Sequence, residues 1–266
     1  MTVAKLIDTS LCIGCKACEI ACQEWNDQEF NDSKTSSEFH GTYQTMPKLA
    51  HNFWNLIQFN EIEREGKIVA WNFSKYQCMH CADAGCMRAC PAPGAIVRLA
   101  NGTVDFVHDN CIGCGYCITG CPFEVPKLSP KTNKVYKCTL CSDRTAVGLE
   151  PACIKACPTS CLTFGERGAL LHQAQARTKE LQKEGHKSAG VYNPAGVGGT
   201  NVLYVLKDAS RPEDYSLPRD PAIPLSVQLW KGPVKWLGSL VFAGGVLGAF
   251  LHYLRVGPKK EEADHE

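Results

Sequence analysis

The stretch CIGCGYCITGCP, residues 111–122, decides how the rest of the chain is read. Cys111, Cys114, Cys117 and Cys121 stand at spacings of two, two and three intervening residues, and Pro122 follows the last. Three thiolates on one tight loop can wrap a corner of a cubic [4Fe-4S] cluster, with the loop's backbone N–H groups turned toward the sulfurs. The fourth cysteine sits where the chain leaves the loop, and in two-cluster proteins it ligates the other cluster. The proline suits the turn that leads away.

The same spacing occurs at Cys12, Cys15, Cys18 and Cys22, except that Gln23 stands in place of the proline. Both runs open on CIGC and both follow an apolar strand candidate, VAKLID at 3–8 and VDFVHDN at 104–110, so a strand-loop-helix unit is repeated within the chain. Cys78, Cys81, Cys86 and Cys90 form a variant with a wider middle gap. Cys138, Cys141, Cys153 and Cys157 form another, interrupted by residues 142–152. Sixteen of the 17 cysteines thus fall into four sets of four. Cys161 is left over and is expected to be a small buried hydrophobe.

Composition agrees with a metal-supported interior. Hydrophobic residues are 44% of 266, but 17 of them are cysteine, far above ordinary usage. A disulfide-rich secreted scaffold would be shorter, with its cysteines scattered. Tetrathiolate zinc is the other metal reading, yet zinc sites normally take two pairs from separate elements, whereas three of these runs crowd three or four thiolates on one loop. The formal charge of +1 would become about −7 with four oxidised clusters, each about −2 with its thiolates. No nucleic-acid partner is expected, and the first residues do not read as a signal peptide.

Between the runs, 31–52 reads as a polar surface insertion, with a hairpin after it from Phe53–Ile62 and Lys67–Phe73 around Arg64, Glu65 and Gly66. Residues 165–187 fit an amphipathic helix ending at Gly185, and VLYVL at 202–206 a buried strand. Four prolines between Arg211 and Pro224 predict a stiff extended linker. Trp236–Leu254 carries no Lys, Arg, Asp or Glu and as a helix spans ~28 Å, close to the ~30 Å hydrocarbon core of a bilayer. Trp230, Trp236 and Tyr253 sit where interfacial aromatics belong. The pairs Ser239/Ala243, Gly244/Gly248 and Gly245/Ala249 suit close packing on another membrane helix. Lys231 and Lys235 flank one end, Arg255, Lys259 and Lys260 the other, a slight lean toward a cytoplasmic C-terminus.

The segments CADAGCMRACPAPGAI, CIGCGYCITGCPF, KCTLCSDRTAVGLEPACIKACPTSCLTFG and NPAGVGGTNVLYVL, with the membrane segment, resemble the iron-sulfur (beta) subunits of membrane-bound respiratory formate dehydrogenases. The resemblance covers nearly the whole chain. The cysteine pattern alone is shared with equivalent subunits of hydrogenases and of sulfur-compound or dimethyl sulfoxide reductases. The family pattern implies nested pairing. Cys12, Cys15, Cys18 and Cys157 would hold cluster 1, and Cys138, Cys141, Cys153 and Cys22 cluster 2. Cys78, Cys81, Cys86 and Cys121 would hold cluster 3, and Cys111, Cys114, Cys117 and Cys90 cluster 4.

The fold expected is α+β, two ferredoxin-like two-cluster subdomains plus one transmembrane helix. The first subdomain would comprise 1–30 and 131–165, the second 74–130, with an insertion at 31–73. A helix and strand extension would follow at 166–210, then a linker at 211–235, the membrane helix at 236–254 and a polar tail at 255–266. The resemblance further implies a non-catalytic electron-transfer subunit carrying four [4Fe-4S] clusters. Its partners would be a molybdenum or tungsten pterin catalytic subunit and a membrane cytochrome b that passes electrons to quinone. The chain would be single-pass in the inner (cytoplasmic) membrane, with the clusters on the periplasmic side. His80, between two ligand cysteines, could tune a potential or serve at the surface. His252 could approach a partner's haem, though an interfacial role suits its place near the helix end.

Overall fold

The computed structural model describes residues 1–29 and 41–257, so part of the expected 31–52 insertion and most of the polar tail lie outside the described residues. The chain opens with β1 (Val3–Asp8), and the first cysteine loop leads into α1 (Ala17–Trp25). β2 (Leu56–Arg64) and β3 (Lys67–Tyr76) form the expected hairpin, turning at Glu65 and Gly66, with β2 shifted toward the turn and β3 running past Phe73 to Tyr76. The second run carries α2 (Gly85–Ala89), followed by the paired β4 (Ile96–Arg98) and β5 (Val104–Phe106). The third carries α3 (Tyr116–Thr119), followed by β6 (Lys127–Leu128) and β7 (Val135–Tyr136), which pair in turn. The fourth carries α4 (Ser142–Ala146) and α5 (Ala152–Lys155).

The chain then makes β8 (Leu162–Glu166), α6 (Arg167–Lys183), β9 (Gly190–Tyr192) and β10 (Val202–Leu206). These complete a four-stranded sheet in the order β8-β1-β10-β9, in which β1 runs parallel to β10 and antiparallel to β8. Residues 166–210, expected as a helix and strand extension, therefore supply β9 and β10, half of the central sheet. Successive side chains on a strand face opposite ways. Ala4, Leu6, Leu203 and Val205 pack on Leu170, Ala174 and Leu181 of α6, while Ile7, Val202, Tyr204 and Leu206 face the core that contains the cysteines. α6 begins where the Glu166 carboxylate accepts a 2.6 Å hydrogen bond from the Ala169 N–H, and the chain turns out of it at Gly185, φ +104°.

Arg211–Pro224, expected as a stiff extended linker, is a packed strap. Tyr215, Leu217 and Ile223 are buried, Ser74 donates to the Tyr215 carbonyl at 2.8 Å, and Arg64 pairs with Asp214 at 3.0 Å. Proline stiffness leaves such a segment extended, and the buried side chains between the prolines fasten it down. Its last residue closes the compact unit Met1–Pro224.

The second unit begins at Leu225 and is helical from its first residue, so the expected linker does not reach 235. α7 (Leu225–Leu229) continues through a kink at Gly232 and Pro233 into α8 (Lys235–Val256), longer at both ends than Trp236–Leu254. Side chains around all sides of α8 are exposed, among them Trp236, Leu240, Val241, Phe242 and Phe250. A helix this long and this apolar on every face requires a nonaqueous surround.

Candidate functional site

The four cysteine runs share one backbone device. The residue just before the second cysteine is left-handed in each: Gly14 at φ +68°, His80 at +46°, Gly113 at +72° and Leu140 at +57°. That turn aims amide groups at sulfur. The His80 N–H points at Cys78 Sγ (3.5 Å) and the Leu140 N–H at Cys138 Sγ (3.4 Å). Glycine adopts this conformation freely, while His80 and Leu140 are buried, with exposures of 0% and 1%. Gly113 has a second constraint, because a Cβ there would lie 2.3 Å from the Asn133 carbonyl oxygen.

Helix packing then brings runs together. α1 packs on α5 and α2 on α3. At the end of α1, Trp25 also reaches α4, donating to Asp143 at 2.7 Å with the Arg144 guanidinium 4.2 Å above its ring. In the contact of α2 with α3, a Cβ on Gly85 would fall 2.2 Å from the Gly120 carbonyl oxygen. Three runs leave their helix at Pro91, Pro122 and Pro158, whereas Gln23 lets α1 run on to Trp25.

All 17 cysteines are free thiols. Cys12, Cys15, Cys18 and Cys157 line one cavity with Cys161 and Lys75, and Cys78, Cys81, Cys86 and Cys121 line another with His80 and Lys137. The other two sets are recognisable by their mutual charge effects. Burial pushes Cys22 up to about 12, with Cys138, Cys153 and Cys141 raising it further against the lysine charge of Lys75. Burial likewise pushes Cys117 up to about 12, with Cys90, Cys111 and Cys114 adding to the rise. Among the described residues no three ligand side chains converge on a single-ion site.

The donor set fits iron-sulfur clusters. Soft thiols surround each cavity, and among the described residues no carboxylate lines either one and the buried Lys75 ammonium has no hydrogen-bond partner, an arrangement that suits an anionic group. His80 is not a surface residue. Its Nδ1 accepts from the Val104 N–H at 3.2 Å, and burial, then Lys137 and Lys5, hold it neutral. Cys161 is buried as expected but stands on the first cavity, where it donates a hydrogen bond to Cys12 that lowers the Cys12 pKa and raises its own. His252 lies exposed on α8. Sequence reading did not find Lys5, Lys75 and Lys137 among the cysteines, because only alternation along β1 and β3 and the closure of the fold turn them inward.

Fold and site together define a ferredoxin-type iron-sulfur protein with two [4Fe-4S] dicluster regions and a membrane segment. Two models of the 4Fe-4S dicluster domain match residues 11–95 and 69–167, and the model described as formate dehydrogenase N, transmembrane, matches 223–266. The chain is 51% identical to the iron-sulfur subunit of the nitrate-inducible formate dehydrogenase of Escherichia coli K12 over 265 residues, 99% of this chain and 88% of that protein. It is 49% identical to the formate dehydrogenase iron-sulfur subunit of Haemophilus influenzae, covering 98% and 82%. A thiosulfate reductase electron transfer subunit of Salmonella typhi is 34% identical, covering 70% and 86%. The chain belongs to the family of formate dehydrogenase iron-sulfur subunits.

Proposed function

We propose that the chain relays electrons from a molybdenum or tungsten pterin catalytic subunit, where formate is oxidised, to a membrane cytochrome b and on to quinone. It does no substrate chemistry of its own. Each cluster, when bound, takes up and releases one electron. The ligand sets are Cys12, Cys15, Cys18 and Cys157; Cys138, Cys141, Cys153 and Cys22; Cys78, Cys81, Cys86 and Cys121; and Cys111, Cys114, Cys117 and Cys90. Nested pairing would make one two-cluster subdomain from 1–30 with 131–165 and the other from 74–130, and the packing of α1 on α5 and α2 on α3 supports it.

The observation that carries the relay is the exposure of two cysteines. Cys15 and Cys114 alone among the sixteen are exposed, each on a loop whose neighbouring Ile13 or Ile112 is also exposed, at 60% and 63%. They belong to the first and last sets of the nested order. The first and last sets thus each have a face where an electron can cross to a partner, while no cysteine of the two middle sets is exposed. The higher identity to formate dehydrogenase subunits than to the thiosulfate reductase subunit favours formate as the donor's substrate.

Redox titration of the purified complex tests this: about sixteen irons, four one-electron steps, and reduction of all four on adding formate are expected. Fewer than four steps, or stoichiometric zinc, would overturn it. The proposed orientation has the cluster unit on the periplasmic side with the C-terminus in the cytoplasm, which the slight excess of positive charge after the helix supports, and a C-terminal reporter fusion active only outside the cytoplasm would reverse it.

A further inference from the structure

Three lysines are buried inside the cysteine-bearing unit: Lys5, Lys75 and Lys137, at 0%, 2% and 2% exposure. Among the described residues none of them forms an ion pair with a carboxylate. An isolated ammonium in such a place is costly unless a counter-charge meets it. Each of the three faces cysteine. Lys5 Nζ stands 3.2 Å from Cys153 Sγ and 3.0 Å from Gln77 Oε1. Lys75 lines the cavity of Cys12, Cys15, Cys18 and Cys157, with no hydrogen-bond partner for its Nζ. Lys137 lines the cavity of Cys78, Cys81, Cys86 and Cys121 while its Nζ donates to the Cys138 carbonyl at 3.0 Å.

Two of these positions are junctions. The Lys75 charge acts on Cys12 and Cys18 of the first set and on Cys22 and Cys153 of the second. Lys137 acts on Cys78, Cys86 and Cys121 of the third set and contacts Cys138 of the second. Lys5 sits against the second set alone.

We propose that Lys75 and Lys137 are electrostatic coupling residues, one cation at the first junction of the relay and one at the next, with Lys5 adding a third charge at the set they share. The proposal rests on the four-cluster reading above. An added electron takes a site from about −2 to about −3, and a nearby buried cation stabilises the more negative form more, because Coulomb attraction scales with the product of charges and is weakly screened inside a protein. The lysines exchange neither electron nor proton. A cation shared by two sets raises both potentials together, which keeps neighbouring steps matched.

The test is redox titration, followed by electron paramagnetic resonance, of the anaerobically purified complex carrying Lys75→Met, Lys137→Met and the charge-retaining Lys75→Arg and Lys137→Arg. Lys75→Met is expected to make two of the four titration steps at least tenfold harder to reduce, ~59 mV for a one-electron couple. Lys137→Met moves two steps as well, one of them shared with Lys75→Met, and the arginine variants stay within threefold of wild type. Unmoved steps at full iron content, or four steps moved alike, overturn the proposal while leaving the four-cluster reading standing. Fewer than four steps in the wild type overturns that reading itself. Should a methionine variant fail to assemble, Lys75→Gln and Lys137→Gln keep a donor without the charge, and wild-type potentials in them also overturn the proposal.

Discussion

Lys5 Nζ lies 3.2 Å from Cys153 Sγ, tying the first strand of the chain to the fourth cysteine run across 148 residues of sequence. On β1, Lys5 is paired between Val202 and Phe164 in a sheet whose other face is sealed by α6, so its side chain has only the cysteine side to occupy. Lys5→Ala, which leaves a void and an unpaired Gln77 Oε1, is expected to lower unfolding free energy by about 2–5 kcal/mol. Lys5→Met, which keeps the volume, should cost less. Anaerobic thermal melting of the two variants separates packing from charge.

Cys161 and Cys157 line the same cavity, yet only one is expected to be a ligand. Cys161 donates its hydrogen to Cys12 and is held as a thiol, so Cys161→Ala should keep about sixteen irons. Cys157→Ala should fall to about twelve. Iron and acid-labile sulfide assays decide it, and equal loss from both variants would make Cys161 a ligand.

Gly113→Ala should be severe. Its φ of +72° disfavours a side chain, and the new Cβ would sit 2.3 Å from a backbone oxygen, so the expected cost exceeds the ~1–2 kcal/mol of left-handed strain alone. Gly148→Ala has φ +77° but nothing within 4 Å, and should cost only that strain. Melting temperature and iron content of the pair would show the difference.

Glu19 is buried, with one carboxylate oxygen accepting from the Thr45 hydroxyl at 2.6 Å and the other from the Ile57 N–H. Burial raises its pKa above the ordinary value near 4.5, against the lowering by those two donors and nearby lysines. The folded state therefore holds the proton more tightly than the unfolded chain, and stability falls as pH rises from about 4.5 through the folded pKa. Glu19→Gln keeps an acceptor and removes that slope, so the variant should gain on wild type as pH is raised from about 4.5. Glu19→Ala strands the Ile57 N–H and should cost about 1–3 kcal/mol. Paired melting curves across that range would check both.

A chain ending at Pro224 retains the whole compact cluster unit and should fractionate as a soluble protein with its full iron content. The full chain should need detergent. Recovery of both in the membrane fraction would assign the attachment to a partner rather than to α8.

The helix of 167–183, the hairpin and the buried strand 202–206 were legible because each has a clean period or a clear stop signal: Gly185 after the helix, Glu65 and Gly66 at the hairpin turn. Arg211–Pro224 was not, since four prolines signal an extended chain whether or not the residues between them, here Tyr215, Leu217 and Ile223, find a surface to pack on. His80 was equally opaque. Its neighbours Cys78 and Cys81 announce a ligand loop, but its exposure depends on β5, where Val104 donates to it from 24 residues away.

The spacing of the cysteines determined the chemistry of this protein by itself, because the number of residues between thiolates sets what a single loop can wrap, and the charge-free run before Arg255 likewise determined its membrane segment. Only the tertiary structure decided which loops lie together, that Cys15 and Cys114 reach the surface, and that Lys5, Lys75 and Lys137 turn inward. Those outcomes depend on helix contacts and strand register between residues far apart in the chain. A lysine reads as a surface residue until the partner on its other side is known.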